Sequence, residues 1–194
     1  MPLPSNPADQ PPASPGAGAT VDQWLTYLEA IHPTEIDLGL DRVLVVLRRL
    51  FRRKPSARII TVAGTNGKGS AVATVEALLR AAGRRTGAYT SPHLVRFNER
   101  IRVAGQIIDD ESLSDILEVC EQANKGRPIT FFEITTVAAF LAFSRTPSDV
   151  VLLETGLGGR FDATNVIEAD VSVITNIGFD HTDGAGDWRR AIAG

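Results

Sequence analysis

The stretch TVAGTNGKGS, residues 61–70, gathers three glycines, a lysine and a serine hydroxyl directly after an apolar run. Gly64, Gly67 and Gly69 lack a Cβ, so backbone N–H groups can converge there on a single anion. Lys68 can reach the β- and γ-phosphates of a nucleotide, and Ser70 can face a phosphate or a metal ion. A helix starting here adds the partial positive charge of its N-terminus. The common phosphate-loop pattern sets Lys and Ser/Thr side by side, whereas Gly69 separates them here. An ordinary strand-to-helix turn is the plainer alternative, but GKGS after a buried strand favours nucleotide binding.

Other candidates follow further apolar runs. Glu154 comes straight after DVVLL and suits a hard cation such as Mg²⁺, which takes oxygen ligands and keeps some waters; alone it would be a solvated strand-end acid. His181, in GFDHT, could serve a second divalent ion as a neutral imidazole, or simply make a hydrogen bond in the packing. Asp180 could orient it, although adjacent side chains rarely bond directly. Ser91 offers a hydroxyl oxygen but equally fits a turn. His93 shares that ambiguity and is not read as a ligand. Gly156, Gly158 and Gly159 could bring backbone close to a ligand or form a tight turn, and Arg160 and Asp162 could pair with each other or meet a substrate. Phe131 and Phe132 could stack on a flat ring or belong to the core. Cys120 has no nearby base and reads as inert.

These residues need a scaffold. An apolar stripe of Trp24, Leu25, Leu28 and Ile31 predicts a helix after Thr20, and Val43, Leu44, Leu47 and Leu50 predict a second over 40–51. Residues 58–63 (RIITVA) form a short apolar run of the kind buried on both faces of a sheet. A helix over 70–82 and a strand over 86–90 follow. Residues 91–106 read as a loop with a short extended piece at 100–103. Helices are expected over 109–123 and 131–143, and buried strands over 149–153 and 170–175. Strands alternating with helices imply an α/β domain with a mostly parallel sheet flanked by helices. In such sheets ligands sit at the carboxyl ends of the strands, which is where the glycine loop, Ser91, Glu154 and His181 fall.

The chain has 194 residues, 43% hydrophobic and 22% charged, enough for one globular, soluble domain. A formal net charge of −3 gives no basis for a nucleic-acid surface. The single cysteine excludes an internal disulfide and a cysteine-rich metal site and fits a reducing compartment. No apolar run approaches the ~18 residues of a membrane span, and no signal peptide is recognisable. Residues 1–19, rich in Pro, Ala, Ser and Gly, read as a disordered leader.

Five segments lie in order along the chain: GTNGKGS at 64–70, TSPHLVRFNERI at 90–101, FFEITT at 131–136, ETGLGGRFDATN at 154–165 and TNIGFDHT at 175–182. Together they resemble the folylpolyglutamate synthase/dihydrofolate synthase family, a branch of the Mur ligase superfamily, from about residue 21 onward. The resemblance implies a P-loop NTPase-like Mur ligase central domain, in which a glycine between the lysine and the serine is ordinary. It implies that Gly64, Thr65, Asn66, Gly67, Lys68, Gly69 and Ser70 hold the ATP phosphates. Ser91 and Glu154 match ligands of a Mg²⁺ bridging the β- and γ-phosphates, and Glu154 and His181 match ligands of a second Mg²⁺. Lys68, Glu154 and His181 thereby carry the catalysis. Phe132, Asp162 and Ala163 fall where family members contact the pterin, and residues 91–94 open a mobile loop at the folate site.

The implied reaction is ATP-dependent amide ligation. A carboxylate of dihydropteroate, or of a folate's glutamyl tail, takes the γ-phosphoryl group, and the acyl phosphate is attacked by the amine of L-glutamate. The implied partners are these small molecules, with no nucleic acid and no membrane, in a cytoplasmic enzyme that is monomeric at full length. Family members are longer and carry a second α/β domain for glutamate and part of the nucleotide. In family members a segment like RRAIAG, with which this chain ends, leads into Glu-Lys-Ala-Gly, whose carbamylated lysine helps hold the second metal. The expectation is therefore a truncated ATP-binding domain over 20–194, without the C-terminal glutamate-binding domain. A cell-wall Mur ligase would carry a nucleotide-sugar domain ahead of the loop, and too few residues precede it here. A small P-loop kinase or GTPase would lack Gly69, and a non-catalytic ATP-binding relative is a further alternative. These 194 residues are expected to be inactive alone; ATP-dependent glutamate ligation by the isolated chain, followed as ADP release, would contradict this.

Overall fold

The computed structural model describes residues 12–31, 40–51, 56–157 and 159–178. Helices α1 (Val21–Ile31) and α2 (Asp41–Leu50) precede β1 (Arg58–Ala63), which runs through the glycine loop into α3 (Lys68–Ala81) and on to β2 (Thr86–Tyr89). A 3-10 turn (Phe97–Arg100) leads to a hairpin of β3 (Ile101–Val103) and β4 (Gln106–Ile107). Then come α4 (Asp110–Asn124), α5 (Phe131–Arg145), β5 (Val150–Glu154), a 3-10 turn (Ala163–Val166) and β6 (Val171–Ile174). The sheet order is β4-β3-β2-β5-β1-β6. β5 pairs parallel with both β1 and β2, and β6 pairs parallel with β1. The hairpin extends the far side in antiparallel fashion. Four strands therefore end at one edge, the arrangement the sequence predicts.

Alternation along the strands divides the interior in two. Val151 and Leu153 of β5 join Ile59 of β1 in a large core with α1, α2, α4 and α5. Leu152 faces the other way, with Val62, Val72 and Ala88 in a smaller cluster under α3. Trp24 and Leu28 of α1, and Val43, Val46 and Leu47 of α2, are buried in the large core at helical spacing. Helix α5 is buried continuously from Glu133 to Phe143. Its start is fixed by a reciprocal cap: Glu133 N–H donates to Thr130 Oγ1 at 3.2 Å and Thr130 N–H to Glu133 Oε2 at 2.6 Å. The buried Glu133 carboxylate also receives Arg42 Nη2 at 2.9 Å, which ties α2 to α5. On the opposite face Glu76 of α3 accepts from Arg102 Nε of β3 at 2.8 Å.

Three expectations need adjustment. The helix expected over 70–82 begins at Lys68, because Gly67 adopts φ 79° as its N-cap and Lys68 and Gly69 wind into the first turn. The segment 91–106 contains the 3-10 turn and β3, and with β4 forms a hairpin rather than a loop with one extended piece. The strand expected over 170–175 is not buried: β6 lies at the sheet edge, with Val171 50% and Ile174 47% exposed. Of the leader expected over 1–19, residues 1–11 lie outside the described residues. Residues 12–19 have no helix or strand, and the Ala19 carbonyl accepts from Ser114 Oγ. Among the described residues no helix is long and apolar enough to cross a membrane. Leu152 has no exposed surface, so Leu152→Ala is expected to cost about 2–5 kcal/mol, measurable as a lowered urea midpoint.

Candidate functional site

The glycine loop leaves β1 at the carboxyl edge of the sheet, held by the segment that leaves β6 beside it. Gly64 has φ 134°, and a Cβ there would collide with Thr175 Oγ1. Thr65 N–H donates to the Asn176 carbonyl at 3.0 Å, and Asn66 N–H to Asn176 Oδ1 at 2.9 Å. Lys68 lies in the first turn of α3, and its Nζ donates to the carbonyls of Gly64 at 2.9 Å and Thr65 at 3.3 Å. Thus the lysine ammonium lies over the mouth of the loop, and the first-turn amides of α3 have no intrahelical acceptor.

Glu154 ends β5, paired with Val62 of β1. Its side chain accepts from Ser91 N–H at 3.1 Å, and it is only 4% exposed. A Cβ built on Gly69 would lie 3.5 Å from its Oε2 and 3.8 Å from its Oε1, so the carboxylate stands against the first turn of α3. The glycine between Lys68 and Ser70 is thus the residue facing the carboxylate. Burial raises the Glu154 carboxyl above its ordinary 4.5, against the lowering by Ser91 N–H and the charges of Lys68 and Arg102. Ser91 and Glu154, both expected to hold a metal, are therefore neighbours. No described donor reaches Glu154 Oε1, so the oxygen set fits a hard cation. No cluster of three His, Cys, Asp or Glu side chains occurs among the described residues. Asp180 and His181, and with them the second metal site, lie outside the described residues, as does Gly158.

The turn after β5 lies over Phe132. A Cβ on Gly156 would come within 2.5 Å of the Phe132 ring, so only glycine allows this approach. The ring also lies 6.0 Å from that of Tyr89, while Phe131 packs edge-on against Phe97 and joins the core. Asp162 is buried and accepts from Leu157 N–H at 2.8 Å, Thr164 N–H at 3.0 Å and Thr164 Oγ1 at 2.6 Å. It braces the turn rather than pairing with the exposed Arg160, whose guanidinium lies over Phe161. Burial raises the Asp162 carboxyl in spite of these donors. Ala163, the next residue, is buried in the large core. The three residues expected at the pterin thus gather at one wall of the turn beyond β5, with Asp162 and Ala163 buried within it.

Some working residues went unrecognised in the sequence. Glu99 gathers the N–H groups of Leu94, Val95 and Arg96 at 2.8, 3.0 and 2.7 Å, and these bonds hold its carboxyl below the ordinary range. It shapes the loop that exposes Leu94 and Val95. His93 Nδ1 accepts from Arg100 Nε at 3.0 Å. Cys120 is buried, and burial pushes its thiol up, as expected of an inert cysteine. The cap formed by Glu133 was legible as T-x-x-E over 130–133.

A glycine loop between a buried parallel strand and a helix N-terminus, with a carboxylate at the neighbouring strand end, defines an α/β domain of the P-loop class. No protein-family profile matches the chain. The Escherichia coli dihydrofolate synthase/folylpolyglutamate synthase is 47% identical over 179 residues, 92% of this chain and 42% of that relative. The solved E. coli structure in complex with DHPP and ADP superposes with a TM-score of 0.87 at 47% identity, over 92% of this chain and 43% of that one. A bifunctional folylpolyglutamate synthase/dihydrofolate synthase with Mn, AMPPNP and L-glutamate bound superposes with a TM-score of 0.85 at 45% identity, over 92% and 44%. The chain belongs to the folylpolyglutamate synthase/dihydrofolate synthase family, and spans about two-fifths of the length of the relatives it matches.

The raised Glu154 carboxyl has a consequence for stability. Because folding favours its protonated form, the stability present below the ordinary glutamate value is lost as pH rises through the higher folded value. Glu154→Gln keeps the shape without the charge. The variant is expected to melt above the wild type near pH 7 and to converge with it below about pH 4, as followed by thermal denaturation.

Proposed function

We propose that this chain is the ATP-binding part of a ligase that joins L-glutamate to dihydropteroate or to the glutamyl tail of a folate. One observation carries the reading: the Glu154 carboxylate, desolvated at a strand end, faces the glycine between Lys68 and Ser70. A buried carboxylate beside a phosphate loop and a lysine serves an anion–cation pair better than it serves packing. The N–H groups of Gly67, Lys68, Gly69 and Ser70 cradle the phosphates, with Gly64, Thr65 and Asn66 forming the entry to the loop. The Lys68 ammonium moves from its loop carbonyls to the β- and γ-phosphates. Ser91 and Glu154 hold one Mg²⁺, and Glu154 with His181 holds a second. These ions supply charge neutralisation when two anions are brought together.

The wall of Phe132, Asp162 and Ala163 takes the pterin, with the ring of Phe132 as its flat surface. The substrate carboxylate oxygen bonds to the γ-phosphorus and ADP leaves. The glutamate amine then attacks the acyl carbon, loses a proton and expels phosphate, leaving the amide. The protein's part is positioning and charge stabilisation rather than covalent participation. The full-length enzyme is read as a cytoplasmic monomer acting on small molecules. Titration of Mg-ATP into the wild type and Lys68→Ala, followed by calorimetry, is expected to show at least a tenfold loss in the variant, in line with about 1.5–3 kcal/mol for a hydrogen bond to a charged group. Equal affinities would remove the loop assignment, and ligation by the full-length enzyme to a UDP-muramyl acceptor but not to a pteroate would remove the folate one.

A further inference from the structure

The exit from β6 makes more bonds to the phosphate loop than strand pairing requires. The parallel ladder between β1 and β6 ends in register at Ala63 and Ile174, yet its pattern continues. Thr175 N–H donates to the Ala63 carbonyl at 3.0 Å, and Thr65 N–H to the Asn176 carbonyl at 3.0 Å. Side chains then take over from backbone. Asn176 Oδ1 accepts from Asn66 N–H at 2.9 Å, and Thr175 Oγ1 donates to the Asn66 carbonyl at 2.6 Å. Gly178 N–H closes the set on Thr65 Oγ1 at 2.9 Å. Gly64 admits this approach because it has no Cβ.

We infer that Thr175 and Asn176 are positioning residues for the phosphate loop, holding its first half as an extension of the sheet so that its second half alone receives the anion. The inference rests on the nucleotide reading above. The N–H groups of Thr65 and Asn66 are spent on Asn176 and cannot turn to a phosphate while those bonds last. The N–H groups of Lys68, Gly69 and Ser70 lie in the first turn of α3, where an α-helix provides no acceptor, and no described residue accepts from them. Gly67, the αL N-cap, is the joint between the halves. The anion cradle is therefore Gly67–Ser70, and its aim is set from β6. Asn176 is exposed and Thr175 half-buried, and both meet the loop through hydrogen bonds rather than through the apolar core.

Two measurements on the 194-residue chain test this, with ADP as the probe. In calorimetry, Asn176→Ala and Thr175→Val are expected to weaken ADP by about tenfold, the effect of a lost hydrogen bond. Thr175→Ser, which keeps the hydroxyl, should stay within about twofold of the wild type. A merely structural role would lower the melting temperature and would not separate Ser from Val by affinity. In hydrogen exchange on the wild type alone, the amides of Thr65 and Asn66 should be protected before ADP is added, and those of Lys68, Gly69 and Ser70 only after. If the wild type binds ADP while the variants bind equally well, or if Thr65 and Asn66 gain protection only with ADP, the inference is overturned and the nucleotide reading stands. If the wild type takes up no ADP, the nucleotide reading fails and the inference falls with it.

Discussion

Where β1 meets the glycine loop, two chain segments come so close that Gly64 has no room for a side chain of its own. Gly64 turns with φ 134°, the Thr175 hydroxyl occupies the place of its missing Cβ, and the carbonyl and amide oxygens of Asn176 take the next two N–H groups. A loop that accepts phosphate has to keep its N–H groups apart from its own carbonyls before the ligand arrives, since those carbonyls repel anions. Fixing half of the loop to a neighbouring strand achieves this without using the ligand as glue. The direction of α3, the place of Lys68 and the face Gly69 offers to Glu154 all follow from that anchorage.

The electrostatics of the edge are arranged by burial as much as by charge. Glu154 is desolvated yet has one backbone N–H and the nearby positive charges of Lys68 and Arg102 to offset the cost. Arg102 is engaged with Glu76, and Lys68 with the carbonyls of Gly64 and Thr65. Other carboxylates are taken up by local donors: Glu133 caps α5 and receives Arg42, and Glu99 folds the loop after Ser91.

Much of this was legible in the sequence, for identifiable reasons. RIITVA and DVVLL are apolar on both faces and read as central strands, and GTNGKGS names its own turn. The alternation in DVSVIT was too weak to tell an edge strand from a central one, because burial of β6 depends on which strand lies beyond it and not on its own residues. Asp162 does not pair with Arg160: it accepts from the N–H groups of Leu157 and Thr164 and from the Thr164 hydroxyl, a set that no spacing of charges reveals. The clasp of Asn176 on the loop was invisible for the same cause. It joins residues far apart in the chain, and every bond in it ends on a main-chain atom of the loop, so the only trace it leaves is a Thr-Asn pair after a strand. His181 was read from the sequence and lies outside the described residues.

The two faces of the sheet differ in grip. On one side α5 is buried along most of its length among large side chains, whereas α3 packs on Ile60, Val62, Ala88, Leu152 and Val173 through Ala71, Val72, Val75 and Leu79, with Val72 and Glu76 its buried residues. The buried Glu76 carboxylate accepts from Arg102 Nε at 2.8 Å and from Thr86 Oγ1 at 3.4 Å, so α3 is pinned to β2 and β3 by polar contacts near its middle. Lys68 lies about two helical turns from that tie, and the glycine loop holds the helix at its other fixed point.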